Sequence, residues 1–204
     1  QYVYEQPFET AELDISKVLA IDIGLNNLAT CVTSDGLSYV YDGKPLKSMN
    51  HYYNKRKAKF QAIANKQGMK YTKRLAQIDI KRNNRVKDYM RKVARSIINF
   101  CVAQQIGTLV MGYNKDFKRN MTLGKKNNQQ FTQIPFGVLR EYLYNLCEYY
   151  GIDYVEQEES YTSKASFFDQ DELPTWKPEK EAYAFPGKRI CRGLYQTGKG
   201  FIVN

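Results

Sequence analysis

The sequence predicts an α/β fold, a mixed five-stranded sheet flanked by helices. Three observations carry this. Short apolar segments at 18–23, 28–33 and 37–41 are joined by turns of a few residues. A helical pattern long enough to cross a sheet follows at 74–106. Two more apolar segments, 107–113 and 152–157, bracket a further helical pattern.

Each element has a local reason. Residues 18–23 (VLAIDI) have the length and composition of a buried strand, with one acid, Asp22, inside it. A lone carboxylate there needs a shifted protonation, a cation or a metal ion. Gly24 removes the side chain beside the acid, so a phosphate or a second strand can come close. Ser34-Asp35-Gly36 is turn chemistry, and three strands so joined form an antiparallel meander. Residues 52–66 read as a helix broken by Gln67-Gly68. In 74–106, Leu75, Ile78, Val86, Met90, Val93, Ile97 and Cys101 keep roughly helical spacing.

A long helix before the strand at 107–113 fits a crossover onto the sheet. Pro135 can open a helix that runs to Tyr150 and stops at Gly151. Residues 1–17 read as a lead-in with an edge strand at 2–4. Residues 164–188 read as a loop insertion, and 189–195 pairs with 201–203 as a hairpin. One domain over 1–204 is expected, with 52–106 as a basic helical hairpin inserted in it.

Composition narrows the function. The chain has 204 residues, 43% hydrophobic and 14% aromatic, which supports a packed core. No apolar run reaches the length of a membrane span, so no membrane partner is expected, nor a small-molecule substrate. Cys31, Cys101, Cys147 and Cys191 lie far apart without a CxxC pair, as in reduced thiols of a cytoplasmic protein. The net charge of +10 points to a polyanionic partner.

The charge is concentrated. Residues 44–95 hold 17 of the 31 Lys and Arg but only two acids, Asp79 and Asp88. Such a one-signed segment lacks the Glu–Lys pairs of an ordinary solvated helix and suits phosphate binding. Lys55, Arg56, Lys59, Lys73, Arg74, Arg82 and Arg85 are its candidate contacts. Lys118 and Lys126, in a polar stretch after the fourth strand, extend the set. Thr162, Ser163 and Lys164 follow the fifth strand, where hydroxyls can cap a helix or hold a phosphate. His51 is expected to contact solvent or phosphate.

Three antiparallel strands followed by helix, strand, helix and strand is the element order of an RNase H-like domain. The sequence also resembles the RuvC nuclease domain of the TnpB-type (OrfB) RNA-guided endonucleases encoded by insertion sequences. The resemblance rests on IDIGLNNLAT at Ile21, GKPLKSMNHYYNK at Gly43 and TKRLAQIDIKRNNRVKDYMRK at Thr72. It continues with KKNNQQFTQIPFGVLREYL at Lys125, EESYTSKASF at Glu158 and GKRICRGLY at Gly187. It implies a nucleoid-associated DNA endonuclease in a prokaryotic cytoplasm, with guide RNA and target DNA as partners. Two Mg²⁺ or Mn²⁺ ions would be held by strand-end acids.

Three departures from that family shape the expectations. The fourth strand ends Val110-Met111-Gly112-Tyr113, with no acid where the family usually has one. Some members carry a relocated glutamate, which makes Glu159 the favoured second ligand beside Asp22, with Glu158 the alternative. Ser166 and Asp169 stand where a zinc ribbon's first cysteine pair would lie, so no zinc is expected. The family's final acid would fall beyond Asn204, so two of three ligands are expected in the chain as given. Two other readings remain open: a truncated or nuclease-dead homologue that binds guide RNA or DNA, and an RNase H-fold transposase or resolvase without a guide.

Overall fold

The structure is a computed structural model that describes residues 12–113, 132–162, 164–174, 183–191 and 193–203. The expected edge strand at 2–4 and most of the basic stretch after the fourth strand lie outside the described residues. The chain divides into two compact units, the first comprising 1–112 with 116–156 and the second 113–115 with 157–204.

The first unit holds the expected mixed sheet. Strands β1 (Asp14–Ile23), β2 (Asn27–Thr33) and β3 (Ser38–Asp42) form the antiparallel meander. Helices α1 (Lys44–Lys66) and α2 (Lys73–Ala103) lead to β4 (Ile106–Tyr113), which pairs parallel to β1. Helix α3 (Phe136–Tyr150) then leads to β5 (Asp153–Glu158). The strand order is β3-β2-β1-β4-β5, so the first strand is central.

Two helix boundaries differ from the sequence reading. Helix α1 begins eight residues earlier than the expected start at 52, because Pro45 suits a first turn and Leu46 anchors that turn in the core. Gly43 makes the entry possible. Its N–H donates to Asn26 O at 2.7 Å, and a Cβ there would collide with Leu25 O. Helix α2 starts where Thr72 caps it, accepting from the Leu75 N–H, and ends at Ala103 rather than 106. At α3's end, Gly151 takes the left-handed conformation, φ 73°, that terminates a helix cheaply.

One face of the sheet makes the core. Leu19 and Ile21 of β1, Cys31 of β2, and Leu109 and Met111 of β4 pack with Met90 and Ile97 of α2 and Leu139 and Leu143 of α3. Burying each such side chain contributes about 1.5–3 kcal/mol. The other face carries Ala20, Asp22, Val32 and Val40, all exposed, with Val40 53% exposed. The sequence reads residues 18–23 as a buried strand. The structure buries only alternate positions, and small apolar residues on the open face hide that alternation.

The second unit contains a small antiparallel sheet of β6 (Lys188–Cys191), β7 (Leu194–Gln196) and β8 (Ile202–Val203), in that order. The expected two-stranded hairpin is therefore three-stranded. Gly193, at φ 83°, sits in the turn that splits the first segment in two.

Candidate active-site strand and nucleic-acid surface

Asp22 lies near the C-terminal end of the central strand, where the sheet's register decides its neighbours. It pairs with Thr30 on β2. On the other side Ile21 pairs with Met111 of β4, and one step further the parallel register brings Gly112 beside Asp22. Thr30 is short and Gly112 has no side chain, so the carboxylate stands clear on the open face. No ion pair among the described residues involves Asp22. Surrounding protein raises its pKa above the ordinary carboxylate value despite its access to solvent, and a hydrogen bond from the Ile23 N–H opposes this. A carboxylate oxygen donor with no ion pair among the described residues suits a hard divalent ion. Among the described residues, no three His, Cys, Asp or Glu side chains come together as a metal group.

Strand β5 has two distinct faces. Tyr154 packs against the core, and Glu156 forms an ion pair with Arg140 of α3. Val155 is exposed, 38%, on the opposite side. Even-numbered positions thus look toward the helices and odd-numbered ones away. Glu158 ends the strand and its Oε1 accepts from Ser160 Oγ at 2.6 Å. The Glu159 carbonyl accepts from Thr162 Oγ1 at 2.9 Å. Asp22 belongs to the first unit, Glu158 and Glu159 to the second.

In the second unit the positions compared with a zinc ribbon form hydrogen-bonded turns. Ser166 N–H donates to Asp171 Oδ2 at 2.8 Å, and Asp169 Oδ2 accepts from the Gly198 N–H at 2.8 Å. Tyr195 OH donates to the Lys164 carbonyl at 2.7 Å, tying the YTSK motif to the small sheet. Lys164 keeps an exposed side chain, and Ser163 lies outside the described residues.

The basic hairpin is built from α1 packed on α2. Arg56 and Arg74 both stack on the Phe60 ring, at 5.7 and 5.3 Å from its centroid. Lys55, Lys59, Lys73, Arg74 and Arg85 are exposed, as expected of phosphate contacts. Both acids of the segment are engaged locally, Asp79 with Lys57 at 3.1 Å and Asp88 with Lys92 at 2.8 Å. Asp79 also accepts from Tyr53 and Tyr71, at 2.8 and 2.7 Å. His51 is exposed on α1. Lys118 and Lys126 lie outside the described residues.

Arg82 differs from its expected role. Its Nε donates to Asn50 Oδ1, other guanidinium nitrogens donate to the Gln133 carbonyl and Asn83, and its plane covers Tyr53. Burial lowers its pKa from the usual arginine value. Arg82 is therefore an internal strut joining α1, α2 and the approach to α3. No sequence signal marks this role, because spacing alone cannot say which cation turns inward.

A central strand with Asp22 near its C-terminal end, flanked by an antiparallel meander and a parallel fourth strand, defines an RNase H-like fold. Solved structures agree. A Cas12f1 bound to guide RNA and target DNA matches with a TM-score of 0.53 at 20% identity, over 74% of this chain and 38% of that one. A CRISPR-Cas12f ternary complex matches at 0.59 and 18% identity, over 78% of this chain and 32% of that one. This chain thus spans about a third of their length, and the likeness is one of fold. No curated protein matches. The model of the OrfB_IS605 family, described as a probable transposase, matches residues 1–118. The chain belongs to that family, in keeping with its resemblance to TnpB-type proteins.

Proposed function

We propose that the chain is the RuvC-like nuclease part of a transposon-associated, RNA-guided DNA endonuclease that hydrolyses phosphodiesters with two divalent ions. The observation that carries this reading is Asp22, a carboxylate on the open face near the end of the central strand with no ion pair among the described residues. Asp22 and Glu159 would hold Mg²⁺ or Mn²⁺. Glu159, which follows the last residue of β5, is the candidate the family resemblance favours, with Glu158 the alternative. Bound metal would supply an activated water and charge stabilisation at the leaving oxygen.

Asp22 and Glu159 supply only oxygen donors, and the open face beside Thr30 and Gly112 leaves Asp22 reachable by a nucleic-acid strand. The hairpin's exposed cations would hold that strand through its backbone, with sequence read by guide pairing. Guide RNA and target DNA are the proposed partners, as in the Cas12f complexes of similar fold.

Cleavage of labelled single-stranded DNA with Mn²⁺ by the full protein tests this. Cutting that disappears in Asp22→Asn supports it. Nucleic-acid binding without cutting under any metal condition replaces it with the binding-module reading.

A further inference from the structure

We infer that the groove between α2 and α3 is a second backbone-binding segment, which carries a single nucleic-acid strand onward from the hairpin. It deepens the proposed function and rests on its nucleic-acid reading, not on cleavage.

The groove is an open cavity of about 590 Å³, lined by Arg91, Arg95, Ser96 and Asn99 of α2 and Tyr142 and Asn145 of α3. Its two arginines are oriented by phenols instead of carboxylates. Arg91 Nε donates to Tyr142 OH at 2.9 Å and stacks 5.1 Å from that ring's centroid. Arg95 donates to Tyr150 OH at 2.9 Å and lies 5.7 Å from its ring. A phenol fixes a guanidinium without neutralising it. Both arginines are exposed, with several donors each left to face solvent. Two preoriented charges beside the amides of Asn99 and Asn145 make an anion site with low ordering cost.

The groove continues an existing track. Lys81 and Arg85 line the pocket between α1 and α2, and residues 81, 85, 92, 95 and 99 fall along one outward stripe of α2. The one acid on that stripe, Asp88, is paired with Lys92. From Lys81 to Arg95 the helix rises about 21 Å at 1.5 Å per residue. Glu141 and Glu148 are exposed on α3, one turn to either side of Asn145, and are not among the residues lining the groove. Tyr142 and Tyr150 already stack on arginine, so the ligand is recognised by its phosphates and not by its bases.

The test is binding of the full chain to twelve-nucleotide single strands, RNA and DNA of one sequence, without divalent metal and across a salt series. Arg91→Gln with Arg95→Gln is compared with the parent. The expected result is weaker binding to both strands and a salt slope reduced by about 1.4, at roughly 0.7 per phosphate contact. Arg91→Lys with Arg95→Lys keeps the charge and should retain most of that slope. A glutamine variant that melts like the parent and binds with the parent's affinity and slope overturns the inference. So does a loss confined to one sugar type. Because no metal is present, failure of cleavage leaves this result unaffected.

Discussion

Arg82 Nε lies 2.9 Å from Oδ1 of Asn50, whose side chain is almost wholly enclosed at 2% exposure. This bond joins the two arms of the basic hairpin from within, and it separates cations that build the hairpin from cations that face outward. Removing the arginine would leave a buried amide oxygen without its donor. Arg82→Ala is expected to cost about 2–3 kcal/mol of stability, the scale of a charge-assisted hydrogen bond. Thermal or urea unfolding measures it.

Arg85 makes the opposite prediction. It is exposed on the hairpin's outer side. Arg85→Gln should change stability by less than about 0.5 kcal/mol, as surface substitutions usually do. It should also lower the salt slope of single-strand binding by about 0.7. An unchanged slope would remove Arg85 from the phosphate surface.

Asp79 links stability to pH. Burial alone would raise its pKa, but hydrogen bonds from Tyr71, Tyr53 and Lys57 outweigh this and hold it below the usual value. A depressed folded pKa stabilises fully above the unfolded value of about 3.9 and is lost as pH falls through the folded one. The parent should therefore lose stability below about pH 4 more steeply than Asp79→Asn. Parallel unfolding profiles for the two proteins would contradict this.

The cysteines should sort by burial. Cys101 and Cys147 are pushed up to about 12 and Cys31 to about 11, in each case mainly by burial. Cys191 is exposed. A thiol reagent at pH 8 should label Cys191 in the native protein and the other three only after unfolding. Mass mapping reads the result, and native labelling of Cys101 would contradict the core packing described here.

Much of the sheet was legible because strand-forming runs and turn residues alternate cleanly between 18 and 42. The long helix was legible through its apolar spacing, from Leu75 to Cys101. The start of α1 was not, since residues 44–51 are mostly polar and their anchors, Leu46 and Asn50, are buried by tertiary packing. Nor was the start of β1 at Asp14. Its first residues, Ser16 and Lys17 among them, are polar, and the strand is held there by backbone pairing with Asp14 N–H donating to Gln105 O at 2.8 Å. At the candidate site, Asp22 stood out as the one acid in an apolar run. The choice between Glu158 and Glu159 did not, since Glu158 ends β5 and Glu159 follows it, where strand parity no longer assigns a face. Arg82 was misplaced because helical spacing does not say which cation turns inward.

Asp22 and Glu159 are proposed as the ligands of a divalent ion. The most direct measurement is Mn²⁺ binding by the full protein, compared with Asp22→Asn, Glu159→Gln and Glu158→Gln, each checked for an unchanged melting temperature. The account predicts that Asp22→Asn and Glu159→Gln each weaken binding at least tenfold, about 1.4 kcal/mol, while Glu158→Gln leaves it near the parent. Mn²⁺ affinity unchanged by Asp22→Asn would contradict it.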